Sequence, residues 1–528
     1  MNRPDHESAK HPVRKNFFCI LITSAVFFVL SLTFVFLSKE YTKWTNMKNW
    51  EEVMKNEGKR PDLVLAFQAG INQRLYEKAA REFGEKHHCT VKVLRVPKEM
   101  LMDTLHGAME AGGDVPDLVE LLEGTMGDFT DCPIDKVAFV DLTDRLKSEG
   151  YLDPDKMVQS TYALWSSRGH IFAIPKTVHP VALCYRVDLI EKLGIDVTEL
   201  KTWDDFVRVG QQITGRWEEN DEALGIYKGT ARFMIDFNDY SIYPLMILLN
   251  QRGFDFFDAE GNRAFDRPEA AELIAWFVHQ TRGPNRISFP AGDGQNFYQA
   301  MKQGRNLFFL TPDWRTMEYT FDLGFEKDTT WRPSFFQGKL ALMPMPVWAD
   351  ENGDRLPGTY GTGTWGGCGL AITKNSKNQM LAWEFAKYLY LEASDEEFGD
   401  RFRETNIVPA ARNAWKTPEF HAPSPFFKEM VRDSRGELVV RPVSIGKFYA
   451  SMADDTPPRH TSPYLVEAES QFLNVYFDAR DFYESRLQEA GNNPSQETLK
   501  KIDDEMLDLI REQLKRKPIS LRQLLLSD

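Results

Sequence analysis

The spacing of apolar and polar positions sets out short strands and helices in turn. Leu63-Val64-Leu65-Ala66-Phe67 is apolar throughout, as a strand covered on both faces would be. Over residues 72–85, Leu75, Ala79 and Phe83 recur four apart, which is one face of a helix. A second strand is predicted over 91–96 and a third over 117–122 (DLVELL). Between them a helix over 98–111 is stopped by Gly112-Gly113. Strands alternating with helices predict a parallel sheet with helices on its faces. Ligands of such sheets lie beyond the carboxyl ends of the strands. That rule singles out Gln68, after the first strand, and Glu123, after the third.

The pattern continues through residues 171–214. The apolar run Ile171-Phe172-Ala173-Ile174 is ended by Pro175, and Val181-Ala182-Leu183-Cys184-Tyr185 reads as a buried strand. A short helix over 188–193 is stopped by Gly194. Thr202 is spaced to cap the backbone N–H of Asp205, whose carboxylate reaches back, so a helix starts there. Further on, residues 238–245 (NDYSIYPL) lead into an apolar helix. Ala259-Glu260-Gly261-Asn262 reads as a turn, and Asp266 as the cap of a helix with Pro268 in its first turn. Residues 296–320 read as helix, Gly304, strand, and a helix starting at Trp314. Residues 365–372 form another strand, followed by a helix containing Ala382-Trp383-Glu384-Phe385.

Several stretches carry more than their periodicity. The wording IFAIPxxxxxxALCYRVDLIEKLGID…TWDDF resembles the GxxYGLPxxxxxxxLYYNKDLFEKAGI…TWDEL core of extracellular solute-binding proteins of family 1. These are the maltose-binding-protein-like receptors of ABC sugar importers. GGxGLAITKNSKNxxLAWEFAKYL is a second strong match, and the resemblance extends over residues 62–510. Insertions near 325–335 and 415–460 have no counterpart in it. It implies an α/β, two-lobed periplasmic-binding-protein fold with a hinge of three crossings. On that basis residues 61–176 and 346–405 form lobe 1. Residues 177–345 and 406–528 form lobe 2 with the C-terminal helices. Strands crossing near 176, 345 and 406–410 join the two.

The resemblance also implies a sugar site. Tyr240 and Tyr243 match an aromatic stretch that supplies stacking rings, and His179 matches a ligand-contacting position just past the first crossing. Trp314 follows a strand with Pro312-Asp313 before it. A rigid indole in a cleft covers the C–H face of a sugar, and its N–H tolerates a wet edge. Trp365 joins this aromatic surface, behind glycines that let a ligand approach closely.

Composition changes the picture at three points. With 528 residues and a hydrophobic share of 42%, the chain is long enough for two or three lobes with cores. Its net charge of −14 argues against a nucleic-acid partner, which calls for clustered Lys and Arg. Residues 17–37 are uncharged and span the ~30 Å hydrocarbon core as one helix. Arg3, Lys10, Arg14 and Lys15 precede them and keep residues 1–60 a cytoplasmic head, transmembrane anchor and stalk, with the binding domain outside the cell membrane. A cleaved signal peptide is the alternative, opposed by the length of the apolar run and the lack of an A-x-A-like site. Outside the cell Cys89 and Cys132 are free to pair, although small buried apolar roles account for Cys89, Cys132, Cys184 and Cys368.

Catalytic and metal motifs are missing from the sequence. It contains no H-E-x-x-H, G-x-S-x-G, P-loop or paired CxxC, and His87-His88-Cys89 reads as a surface turn. The G-x-G-x-x-G at 361–366 precedes a strand rather than a helix, which excludes a dinucleotide fold. The expectation is a receptor without cofactor, partnered by a sugar and by ABC permease subunits. An extracellular carbohydrate-active enzyme, or a binding protein for an anion or metal, is the alternative.

Overall fold

The computed structural model describes Met54 and residues 59–516, apart from 69–71, 98–100, 103–104, 108–113, 321–334 and 492–493. The chain divides into two compact units, Met1–Pro61 and Asp62–Asp528. The expected span at 17–37 and most of the 325–335 insertion lie outside the described residues. No helix among the described residues is long and apolar enough to cross a membrane.

Within the second unit there are two main sheets. The first holds β1 (Leu63–Phe67), β2 (Val91–Arg95), β3 (Leu118–Leu122), β4 (Ala173–Pro175) and β10 (Cys368–Ile372), in the order β2-β1-β3-β10-β4. β1, β2 and β3 are parallel as predicted. β10 runs antiparallel to both β3 and β4, so the sheet is mixed. The reason is connectivity: β4 leaves this lobe through the hinge and β10 returns through it. α1 (Gln73–His87) and α8 (Gln379–Tyr390) cover one face. Leu63, Leu65, Phe67 and Leu370 pack there against Tyr76, Phe83 and Phe385. β3 also carries Glu120 on this face, fully buried and held by Tyr76, Tyr390 and Lys176.

The second sheet has seven strands: β5 (Val181–Arg186), β6 (Gly215–Arg216), β7 (Ala231–Asp236), β8 (Asn306–Pro312), β9 (Leu340–Pro344), β11 (Phe427–Arg432) and β12 (Leu438–Pro442). Their order is β12-β11-β9-β5-β8-β7-β6. β11 and β12 form a hairpin from the 415–460 insertion, which therefore widens this sheet. β5 is buried at every residue because both faces are covered. Val181, Leu183 and Tyr185 enter the core beneath α4 (Ile242–Gln251), α5 (Pro268–Thr281) and α10 (Leu465–Ala490). Ala182 and Cys184 face Phe309 and Leu342 in the other core. The period of two along a strand makes that division. α11 (Gln496–Lys515) packs on α10 and α5.

Local punctuation follows the expectations at Gly194 and Thr202 and departs from them at Asp266, while the expected stop at Gly112-Gly113 lies outside the described residues. Gly194 ends α2 (Val187–Leu193) in the left-handed region, and Thr202 and Asp205 form a reciprocal capping box at α3 (Trp203–Ile213). The cap of α5 is Arg267, not Asp266, and no side chain bonds there. Pro268 occupies the first helical position and holds the preceding residue extended, at φ −110°, which moves the boundary one residue past Asp266. Cys89, Cys132, Cys184 and Cys368 are all free thiols, so Cys89 and Cys132 do not pair.

Candidate functional site

Three chain segments run between the sheets and bond to one another. The first, from β4 to β5, lies in the middle. On one side Lys176 N–H and Val181 N–H donate to the carbonyls of Cys368 and Gly363, and Trp365 N–H donates to the His179 carbonyl. Gly363 and Trp365 belong to the second crossing, between β9 and β10, and Cys368 opens β10. On the other side Val178 N–H donates to the Val408 carbonyl, and Ala410 N–H to that of Lys176. Residues 408–410 are the third crossing, which follows α9 (Asp395–Thr405).

After α6 (Gln295–Lys302) and β8, Asp313, the first residue of α7 (Asp313–Thr320), ties these crossings to the end of β8. It is fully buried. Its Oδ1 accepts from Trp314 N–H at 2.7 Å and pairs with His179 Nδ1 at 2.6 Å, while Oδ2 accepts from Val408 N–H at 2.6 Å. His179 was expected to face a ligand hydroxyl. Its ring is instead 3% exposed and turned onto Asp313. A positive φ of 56° at His179 carries it there. Gly366, at φ 108°, makes room above the ring: a Cβ at that position would lie 3.1 Å from His179 and 3.3 Å from the Trp314 indole nitrogen.

Around this anchor the structure brings three of the expected aromatic residues together. The Trp314 and Trp365 rings meet edge to face at 5.3 Å, and Trp314 Nε1 donates to the Trp365 carbonyl at 3.0 Å. Tyr243, from the first turn of α4, lies 4.9 Å from Trp365. The Arg315 guanidinium covers Trp365 at 4.5 Å and Trp314 at 5.4 Å. Tyr243 is 38% exposed, and burial followed by the nearby Glu123 and Glu469 carboxylates holds its phenol above the ordinary value. Tyr240 stands apart at 65% exposure. Ser241, between them, caps α4 by accepting from Tyr243 N–H.

The strand-end residues of lobe 1 are placed differently from each other. Glu123 N–H donates to the Gly367 carbonyl at 2.9 Å, which sets Glu123 beside the second crossing. Its Oε2 accepts from Arg459 at 2.5 Å. Both amide atoms of Gln68 are buried without a hydrogen-bond partner. A donor and an acceptor left open behind a strand end are what a hydroxyl ligand would fill.

Sequence reasoning missed Asp313, Arg315, Arg459 and Asp236. Asp236 ends β7; burial pushes its carboxyl up to about 7, against a backbone bond from Ala291 and the nearby Arg315. The PDW triplet was the one visible signal, and it pointed to Trp314 rather than to Asp313. Among the described residues, no group of three His, Cys, Asp or Glu side chains is placed to hold a metal ion.

With this geometry in place the comparisons are decisive about the family. The sequence model of the bacterial extracellular solute-binding protein family matches residues 66–396. The chain belongs to that family. Its members are substrate-binding receptors rather than enzymes. An arabinooligosaccharide-binding protein of Halalkalibacterium halodurans is 24% identical over 414 residues, covering 75% of this chain and 82% of that protein. An arabinooligosaccharide-binding protein of Bacillus subtilis is 25% identical over 378 residues, covering 69% and 77%. Among solved structures, the sugar-binding protein MalE of Xanthomonas citri superposes with a TM-score of 0.59 at 15% identity, covering 88% of this chain and 99% of that one. Maltose-bound MalE3 of T. maritima gives 0.54 at 18% identity, covering 85% and 99%. At these identities the solved structures show the two-lobed fold alone.

Proposed function

We propose that this family member captures a sugar or oligosaccharide outside the cytoplasm and delivers it to the permease of an ABC importer. The observation that carries the reading is the ring surface of Tyr243, Trp365 and Trp314, set where the three crossings meet. Its partly exposed rings would cover the apolar C–H faces of sugars. Tyr240, more exposed, would extend the surface at its rim. Gln68 and Glu123 would reach hydroxyls from the other lobe, and His179 would act beneath the rings through Asp313. The names of the two curated relatives make arabinooligosaccharides the first class to try.

Closure about the crossings would trap the ligand, as in other hinged binding proteins. The lobe limits given above, at residues 61, 177, 346 and 406, belong to this reading. So does the single-pass anchor at 17–37, supported by its apolar length and by the basic residues before it. Protein extracted from membranes should keep its N-terminal residues; a mature N-terminus after Ser38 would remove the anchor.

A titration decides the ligand. Arabinotriose and maltotriose are added in turn to the soluble domain, with binding heat and melting temperature measured together. Saturable binding of either supports the reading. A domain that is folded and binds neither, but responds to an anion or metal ion, would overturn it.

A further inference from the structure

The loop before α10 meets lobe 1 at a polar contact that the ring surface does not explain. Its residues belong to lobe 2: His460 N–H donates to Asp255 Oδ2 at 2.7 Å, and the helix that follows packs on α5 and α11. Across from it stands the loop after β3. Arg459 Nη1 bonds Glu123 Oε2 at 2.5 Å, with the Arg459 side chain 4% exposed and that of Glu123 20%. The two loops are closely seated. Leu465 lies 3.7 Å from where a Cβ on Gly124 would be, and a Cβ on Gly127 would overlap the Ser462 carbonyl.

The guanidinium is not fully used. Arg459 Nε is buried and has no hydrogen-bond partner, and neither has Ser160 Oγ. Both residues line one recess, whose walls include Thr177 and Val178 of the first crossing and Thr364 and Gly366 of the second. Gly366 is also the residue against Trp314, so the recess adjoins the ring surface. A buried N–H without a partner is costly, and a ligand oxygen would relieve that cost. The charge balance limits which ligand that is. Glu123 bonds the guanidinium itself, and Asp255 accepts from the neighbouring His460 N–H, so two carboxylates already stand at this arginine. An added carboxylate or phosphate would therefore meet surplus negative charge, whereas a hydroxyl would not.

We propose that Arg459 and Glu123 form a cross-lobe subsite for the hydroxyls of a neutral sugar, and that this pair excludes acidic sugars. A diol accepts from Arg459 Nε and donates to the Glu123 carboxylate, so one ligand joins the two lobes through both residues. The subsite rests on the sugar reading given above, and it adds a residue and a charge rule to it.

The test compares neutral arabinotriose with trigalacturonate, by calorimetric titration of the wild type, Glu123→Gln, Arg459→Lys and Arg459→Gln, each with its melting curve. The wild type is expected to bind arabinotriose tightly and trigalacturonate only weakly. Glu123→Gln keeps the shape and should lose tenfold or more for arabinotriose while narrowing the neutral-to-acidic preference by at least tenfold. Arg459→Gln should lose at least as much, with partial recovery in Arg459→Lys. A merely structural pair would lower melting temperature without changing that preference. If the wild type binds arabinotriose and Glu123→Gln and Arg459→Lys bind it within twofold, the subsite falls and the sugar reading stands. If the wild type binds no sugar, both fall.

Discussion

Two tryptophan clusters are built from the same residue type and do opposite things. In the first, Trp203 touches Trp276 at 5.6 Å and Trp348 at 5.9 Å, with Phe206 and Phe237 around them. Trp203 is buried, and its N–H donates to Gln251, whose amide goes on to the Pro346 carbonyl. In the second cluster, Trp314 and Trp365 keep part of their rings in the open and are fronted by Tyr243 and Arg315. The first fills a space that folding has closed. The second is fastened through the Trp314 backbone N–H to Asp313 and through its indole N–H to the Trp365 carbonyl, and is only partly covered by Tyr243 and Arg315. A ring held firmly at one edge and still partly open loses little freedom when a ligand covers the rest of it. The difference lies in what holds each ring rather than in how apolar it is.

Truncating one ring in each cluster breaks this comparison most directly. Trp203→Ala should cost about 3–5 kcal/mol of stability, because a large cavity opens in a packed core. Any change in ligand affinity should follow from unfolding alone. Trp314→Ala should do the reverse. We expect arabinotriose affinity to fall at least tenfold, the ~2 kcal/mol typical of an aromatic anchor, with a small shift in melting temperature. Melting curves and titrations on both proteins check this. A large loss of melting temperature in Trp314→Ala would place both clusters in the core and remove the distinction.

The next expectation concerns charge beside the second cluster. Asp236 is buried near Arg315, and burial, opposed by the Ala291 N–H and Arg315, pushes its carboxyl up to about 7. In the unfolded chain the same group releases its proton near pH 4. Between those values the folded state binds more protons than the unfolded one, so stability falls as pH rises through the window and levels off above it. The contribution is fully present only below the unfolded value. Asp236→Asn removes the ionisation and should flatten the pH 4–7 slope. Because asparagine can still accept from the Ala291 N–H, the variant should melt roughly 2–4 °C higher at pH 8. An unchanged slope would show that Asp236 ionises freely in the fold.

These two regions were unequally legible in the sequence. Interactions between near neighbours could be read directly: the Thr202–Asp205 box, the Gly194 stop and the apolar run of β1 all follow from spacing. The position of Trp314 after a strand was legible for the same reason. What holds it was not, because His179 and Asp313 lie 134 residues apart and meet only after three crossings come together. Glu123 and Arg459 are 336 residues apart, and nothing in the Pro457-Pro458-Arg459-His460 wording indicates a partner. The placement of Asp266 failed for a different cause, a local competition that Pro268 won. The mixed direction of the first sheet was hidden too, since it depends on the chain leaving a lobe and returning to it.

The smallest expected effect tests the core cluster without touching a ring. Trp203 is the first residue of α3, and the helix it starts is held by Thr202. The Thr202 side chain accepts from Asp205 N–H at 3.1 Å, and Asp205 Oδ2 accepts from the Thr202 backbone at 3.3 Å and from its hydroxyl at 2.8 Å. The Thr202 hydroxyl and the Arg208 guanidinium help hold the Asp205 carboxyl below its usual range against the opposing effect of burial. Thr202→Ala removes the side-chain acceptor and leaves the Asp205 N–H to water, which typically costs about 1 kcal/mol. The core rings themselves stay in place, so the loss should register as a modest drop in melting temperature. Arabinotriose affinity should stay within twofold, because α3 starts at the core cluster and contributes no ring to the exposed one. A loss of affinity comparable to that of Trp314→Ala would mean that the two clusters are mechanically coupled through α3, and that the core helps to aim the binding surface.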